Sequence, residues 1–274
     1  MPRPDYPSQT VIITGASSGI GASFARALAA RGANLILVAR RRDRLEALAS
    51  ELERAHGVTV TPIALDLTSP TAGAELKAAV LAAGCTPTSL INNAGFGTFG
   101  EFQDEDPARL ADEIAVDVSA LVQLSSAFLP TLVAGGGFLI NVASMAAYTP
   151  TPRMAVYGAA KAFVLSFTES LWAELRGSGV TAFALSPGAT STEFNAVVGT
   201  DDATAGARMR TPEQVVATAL AHLERRSPGP SVIDGRSNRV AALVGRLASR
   251  RSIVTLMHRL TGPTRRRTAT SAPA

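Results

Sequence analysis

The sequence predicts an α/β fold, a parallel sheet with helices on both faces, and three observations carry that prediction. Short apolar runs alternate with Ala-rich or amphipathic stretches from residue 10 to about residue 234, the rhythm of strand–helix–strand units. The run Gly137-Phe138-Leu139-Ile140-Asn141-Val142 is apolar almost throughout, as a strand covered on both faces must be. A glycine-rich turn joins the first apolar run to the first helical stretch.

In chain order, residues 10–14 form the first strand, Gly15 to Gly21 the turn, and residues 22–30 a helix. A second strand covers 35–39, and Arg40-Arg41-Arg42 leads into a helix to about 55. A third strand, 58–65, ends at Asp66 and Leu67 before a helix over 71–83. Residues 89–91 form a short strand ending in Asn92-Asn93-Ala94-Gly95, and a long helical stretch runs from about 107 to 132. The strand ending at Val142 precedes a helix over about 154–176. Residues 180–185 form the next strand, ending at Ser186-Pro187-Gly188. Residues 189–210 break the rhythm, and a connection of that length in a compact domain more often serves a site than idles. Thr211 as N-cap and Pro212 at the first helical position open another helix. Residues 231–234 form a last short strand. No repeat and no second folded domain shows; the reading is a domain over residues 8–234 with an extension over 235–274.

At 274 residues and 46% hydrophobic content the chain can bury a sizeable core. Its one cysteine, Cys85, excludes an internal disulfide and suits a reducing cytoplasm. No apolar run approaches the roughly 20 residues of a membrane span, and residues 1–5 have no signal-peptide pattern. The net charge of +4 is unevenly spread. Nine arginines and no acidic residue lie in 235–274, leaving 17 basic against 22 acidic residues elsewhere. The basic balance therefore belongs to the extension and gives the body no nucleic-acid character. Cys85, His56, His222 and His258 are too scattered to ligate a metal.

The chemistry concentrates at residues 144–161. Tyr157 and Lys161 are four apart and share one helix face. A neighbouring ammonium favours phenolate and is expected to lower the tyrosine from its reference of about 10. Ser144, at the end of a buried strand, can hydrogen-bond a reacting oxygen. Tyr-x-x-x-Lys alone is a weak pattern and fits an ordinary amphipathic helix. It gains weight because only Lys77 and Lys161 among 26 basic residues are lysine, and the two cations are not interchangeable at such a site.

Gly15-x-x-x-Gly19-x-Gly21 stands between a strand and a helix, where backbone amides can face a pyrophosphate. Arg40 stands at the end of the second strand, where an acidic residue would serve ribose hydroxyls and a basic one a 2′-phosphate. NADP(H) is therefore expected over NAD(H). Asp66 can reach an adenine or cap the next turn. Asn92 to Gly95 and Pro187-Gly188 occupy the same sheet edge, and either asparagine can instead make a turn.

Taken in this order, Thr14-Gly15-x-x-x-Gly19-Ile20-Gly21, Asn92-Asn93-Ala94-Gly95, Ser144, Tyr157-x-x-x-Lys161 and Pro187-Gly188 resemble the short-chain dehydrogenase/reductase family, over residues 10 to about 234. The resemblance implies a Rossmann-like, doubly wound, mostly parallel sheet of seven strands. It implies Tyr157 as general acid/base, Lys161 lowering its pKa and holding the nicotinamide ribose, and Ser144 orienting the substrate oxygen. Ser17, Ser18 and Ile20 of the turn, with Leu67, Asn93, Ala94 and Gly95, would join the cofactor site. Pro187, Gly188, Thr190 and Thr192 would lie near the nicotinamide. Asp117 stands where many members carry a catalytic asparagine whose backbone carbonyl holds a water, and is a further candidate. A homodimer or homotetramer is implied.

The expected activity is interconversion of a carbonyl and a secondary alcohol. Phe96, Phe99, Met145, Tyr148 and Phe194 suggest an apolar or lipid-like substrate. The alternative is a nucleotide-binding regulator of the same fold without turnover. In the extension, apolar residues recur at helical spacing from 240 to 260, interrupted at Ser249-Arg250-Arg251, with arginines between. Such a stretch can lie on an anionic membrane or dock on the body or a second subunit, and docking is favoured. Residues 262–274 read as disordered.

Overall fold

In the computed structural model, which describes residues 4–194, 198 and 209–262, seven strands form one sheet in the order β3-β2-β1-β4-β5-β6-β7. They are β1 (Thr10–Thr14), β2 (Asn34–Ala39), β3 (Val60–Ala64), β4 (Ser89–Asn92), β5 (Phe138–Val142), β6 (Thr181–Ser186) and β7 (Ser231–Ile233). Every pairing is parallel. Residues 263–274 of the expected 262–274 disorder and most of the 189–210 segment lie outside the described residues.

The central strands alternate between two cores, because successive side chains leave opposite faces. Val11, Ile13, Leu35 and Leu37 enter one with Phe24 and Leu28 of α1 (Gly19–Ala29) and Leu45 and Leu52 of α2 (Arg42–His56). Ile12, Ile36 and Val38 enter the other with Leu76 of α3 (Ala72–Ala82) and Leu124, Phe128 and Leu132. These last three lie on α5 (Leu121–Gly135), which follows α4 (Pro107–Ile114) through a π-helical segment, Ala115–Ala120. Continuous apolar runs in the sequence thus correspond to a sheet covered on both faces.

The run Pro107–Gly135 is long and apolar enough to cross a membrane by composition alone, with mean hydropathy 1.5. That corrects the expectation that no segment reaches such a length. Here it is a layer of the fold, packed on α3, on β4 and on α6 (Ala155–Glu174). The helix predicted to open at Thr211 is α7 (Pro212–Leu223). Its N-terminus is a full capping box, in which Thr211 and Gln214 bond each other's backbone. The extension forms α8 (Arg236–Leu247) and α9 (Arg250–Leu260), divided where the sequence pattern breaks, with Ser249 capping α9.

The strand order reverses between β1 and β4, and the C-terminal ends of β1, β4, β5 and β6 share one edge. A crevice forms there in open parallel sheets. One cavity of about 1120 Å³ occupies that edge.

Candidate active site

Thr14, the last residue of β1, fixes two loops at once. Its hydroxyl accepts the N–H groups of Asn93 and Ala94, both at 2.9 Å, while the Asn93 amide donates to the Thr14 carbonyl at 2.9 Å. Asn93 therefore ties the β4 loop to the glycine turn. Asn92 points away, donating to Asn141 at 2.9 Å and Ser125 at 3.1 Å inside the fold. Gly15 has φ +66°, and a Cβ there would come within 2.8 Å of the Asn93 amide, so only glycine closes this turn.

The glycine turn leaves donors for an anion. Ser18 is the N-cap of α1 but caps nothing with its side chain, so the first-turn N–H groups face the cavity uncapped. Its hydroxyl instead accepts from Arg41 at 3.0 Å, and Ser17 accepts from the same guanidinium at 2.9 and 3.2 Å. Arg41 and Arg44 also grip Glu193 at 2.8 and 2.6 Å. Those bonds, Arg44 first, hold the Glu193 carboxyl down at about 2. Arg40 lines the cavity but is exposed and makes none of these bonds. The sequence shows three consecutive arginines, and only the folded backbone shows which one turns inward.

The other predicted residues of this end, Gly19, Ile20, Asp66, Leu67, Ala94, Gly95, Pro187, Gly188, Thr190 and Thr192, also line the cavity. Gly21 does not; it is buried beneath the turn, against the Gly15 carbonyl. The Asp66 carboxylate accepts the Thr68 N–H at 3.0 Å, the turn-capping alternative, while staying on the cavity wall.

At the other end β5 delivers Ser144, and α6 delivers Tyr157 and Lys161, to the same wall. Lys161 Nζ is buried, 3.3 Å from Asp117 Oδ2, 3.3 Å from the Val142 carbonyl and 5.6 Å from the centre of the Tyr157 ring. Asp117 lies in the π-helical segment, buried, and also accepts the Phe96 N–H at 3.1 Å. Gly95 lies against this pair: a Cβ there would meet Asp117 Oδ1 at 2.6 Å and Lys161 Nζ at 2.9 Å.

The electrostatics depart from the expected lowering of Tyr157. Burial pushes the phenol up and wins; Lys161 and the Ser144 hydroxyl pull it down, while Asp117 and Glu113 push it further up. Burial opposes the Lys161 charge, but Asp117 and Tyr157 outweigh it and hold the ammonium above the ordinary lysine range. Burial also raises Asp117 against the pull of Lys161. Glu113 was invisible as a site residue in the sequence, where it is one acid on a polar helix start; in the fold it is buried one turn before Asp117.

The middle of the cavity is apolar. Phe96, Met145 and Phe194 line it, with the Phe194 ring 5.3 Å from that of Tyr157. Phe99 and Tyr148 do not line it, correcting that part of the expectation; the Tyr148 hydroxyl instead faces Ser186 at 3.4 Å. Met154 and residues of the extension take their place, among them Val240 and Val244 of α8 and Leu256 and Leu260 of α9. The extension is attached through Arg153. Its guanidinium donates to the His258 carbonyl at 3.2 Å near the end of α9 and pairs with Glu101 at 2.9 Å.

The model of the short chain dehydrogenase family matches residues 9–203. The chain belongs to that family. It is 37% identical over 220 residues to sulfoacetaldehyde reductase 2 of Chromohalobacter salexigens, covering 79% of this chain and 86% of that one. A short-chain dehydrogenase from Sphingobium yanoikuyae in complex with NADPH superposes with TM-score 0.77 at 34% identity, covering 96% and 99% of the two chains. A bulky-bulky ketone specific alcohol dehydrogenase from Comamonas testosteroni does so with TM-score 0.72 at 31% identity, covering 87% and 93%. The chain is a nicotinamide-dependent oxidoreductase acting between carbonyl and alcohol groups.

Proposed function

We propose that the enzyme reduces apolar ketones to secondary alcohols, and oxidises the reverse pair, with NADP(H) in preference to NAD(H). The observation that carries this is one cavity with an arginine-edged glycine turn at one end and the Ser144, Tyr157 and Lys161 set at the other. Gly15, Ser17, Ser18, Gly19 and Ile20 would hold the pyrophosphate, with Gly21 beneath them letting the turn close. Arg40 and Arg41 would hold the 2′-phosphate; Asp66 and Leu67 would flank the adenine. Asn93, Ala94, Gly95, Pro187, Gly188, Thr190 and Thr192 would enclose the nicotinamide half. The bound nicotinamide supplies or accepts the hydride.

The chain's own groups handle the oxygen. Ser144 donates a hydrogen bond to the substrate oxygen, and Tyr157 gives its proton as negative charge develops there. Lys161 faces the phenolate that remains and reaches the nicotinamide ribose. Asp117 holds the ammonium in place through its carboxylate, where the family's asparagine would act through a backbone carbonyl. The apolar lining from Phe96, Met154, Phe194, α8 and α9 selects the substrate's hydrocarbon arms.

A cofactor-linked screen of ketones and secondary alcohols tests the activity, with turnover expected for apolar ketones. NADPH binding without turnover of any carbonyl would favour the regulator. For cofactor choice, Arg40→Ala and Arg41→Ala should each weaken NADPH by about 10- to 100-fold, from the roughly 1.5–3 kcal/mol of a charged hydrogen bond. NADH affinity should hold in a fluorescence titration. Equal loss for both cofactors would leave the arginines a structural role only.

Docking of the extension on its own body is the reading its contacts support, and the family resemblance favours a cytoplasmic homodimer or homotetramer. A specific observation favours a second role, peripheral membrane contact. Leu243 and Leu247 of α8 stay 61% and 84% exposed on an extension with no acidic residue. Vesicle co-sedimentation with and without residues 236–274 separates the two.

A further inference from the structure

Behind Lys161 lies a second acid that the proposed chemistry does not use. Glu113 and Asp117 are one turn apart, at the end of α4 and within the π-helical segment, and both are buried. Single π-turns inside α-helices concentrate at functional positions. Asp117 spends one oxygen on the Phe96 N–H, and its other faces Lys161. Both Glu113 oxygens are buried without a well-formed hydrogen bond among the described residues, and Thr98 is the polar group beside them. A carboxylate in that position is costly, so Glu113 ionises only near neutral pH; burial, with Asp117 and Glu105 nearby, pushes it up to about 7 against the pull of Thr98, and above that it carries charge beside Asp117.

The groups facing this pair come from every element around it. Lys161 and Tyr157 stand on α6, and Ser144 ends β5. Thr98 and the Phe96 N–H belong to the loop after β4, and Glu105 lies ahead of α4. Arg109 and Asp112, also on α4, line the cavity. Lys161 is the cation in direct contact with Asp117, and it is also the cation on which Tyr157 depends.

We propose that Glu113 and Asp117 are positioning residues that offset the Lys161 ammonium and bias Tyr157 toward its proton-bearing form, the form that reduces a carbonyl. This rests on Tyr157 being the proton-transfer group. In reduction, a hydride reaches the carbonyl carbon and the Tyr157 proton reaches its oxygen, leaving a phenolate opposite Lys161. In oxidation, Tyr157 must first lose its proton, which the two acids oppose. The site is therefore a reductase at neutral pH and an alcohol oxidase only under more alkaline conditions.

Asp117→Asn removes the anion that faces Lys161. The midpoint of the rising limb of alcohol oxidation against pH should then fall by about one to three pH units, the shift a close charge produces. Glu113→Gln should match wild type below about pH 6, where Glu113 is already neutral, and show a lower midpoint above it. A readout without turnover is tyrosinate absorbance in the protein alone. The chain has three tyrosines, so subtracting the Tyr157→Phe titration isolates Tyr157. Circular dichroism confirms that each variant is folded, and Glu113→Gln carries the test if Asp117→Asn does not fold. Unmoved midpoints in a folded variant would overturn the proposal. If the tyrosinate midpoint moved while no substrate was turned over by wild type, the tuning would stand and the oxidoreductase assignment of Tyr157 would fall.

Discussion

Replacing Tyr157 with phenylalanine is expected to lower hydride transfer by about 10²–10⁴-fold, the contribution of a positioned general acid or base. The substitution keeps the ring, so its contact with Phe194, centroids 5.3 Å apart, survives. It removes the only atom of the side chain that can exchange a proton with the substrate. Folding and NADPH affinity should stay near wild type, because neither the glycine turn nor Arg41 touches the phenol. Pre-steady-state hydride transfer, with an NADPH titration alongside, checks both. Near-wild-type transfer in this variant would remove Tyr157 from the chemistry.

The second large effect falls on stability as well as rate. Lys161→Met leaves the Asp117 carboxylate buried with its cation gone, and breaking a buried pair on one side costs about 3–5 kcal/mol. Urea unfolding should show that loss, and turnover should be abolished. Adding Asp117→Asn removes the stranded charge and should restore most of the stability without restoring turnover, which needs the ammonium beside Tyr157 and at the ribose. Lys161→Arg should also fail, because a planar guanidinium does not replace a compact ammonium in a space bounded by Gly95 and the Val142 carbonyl. A Lys161→Met protein as stable as wild type would mean that the Asp117–Lys161 pair does not carry charge in the folded state.

Much of this fold was legible because its signals are local. β1, β2 and β5 are runs whose every second side chain enters a different core, so they read as continuous apolar segments. The break between α8 and α9 is written in Ser249-Arg250-Arg251, with Ser249 the cap. The residues of the two cavity ends were legible from spacing and from the family resemblance. What escaped depends on contacts between distant segments. Arg41 rather than Arg40 turns onto Ser17 and Ser18: it is the extended N-cap residue ahead of α2, and three consecutive arginines do not show which of them takes that place. Glu113 reads as one more acid on an exposed helix start until the π-helical turn and the β4 loop bury it. The direction of the Tyr157 shift was misjudged for a related reason: the ammonium four residues away was visible, and the acids and apolar walls around both were not. Phe99 and Tyr148 are expected on the cavity wall, whereas α8 and α9, about a hundred residues on, supply it.

The most direct measurement of the central claim follows the hydride itself. NADPH deuterated at the transferring position of its nicotinamide is mixed with an apolar ketone and the enzyme, and the alcohol is examined by mass spectrometry. The account predicts an alcohol one deuteron heavier at its carbinol carbon from wild type, with its yield in a single turnover collapsing for Tyr157→Phe. Labelled alcohol formed equally fast by Tyr157→Phe, or NADPH bound tightly by wild type with no label reaching any carbonyl, would contradict it.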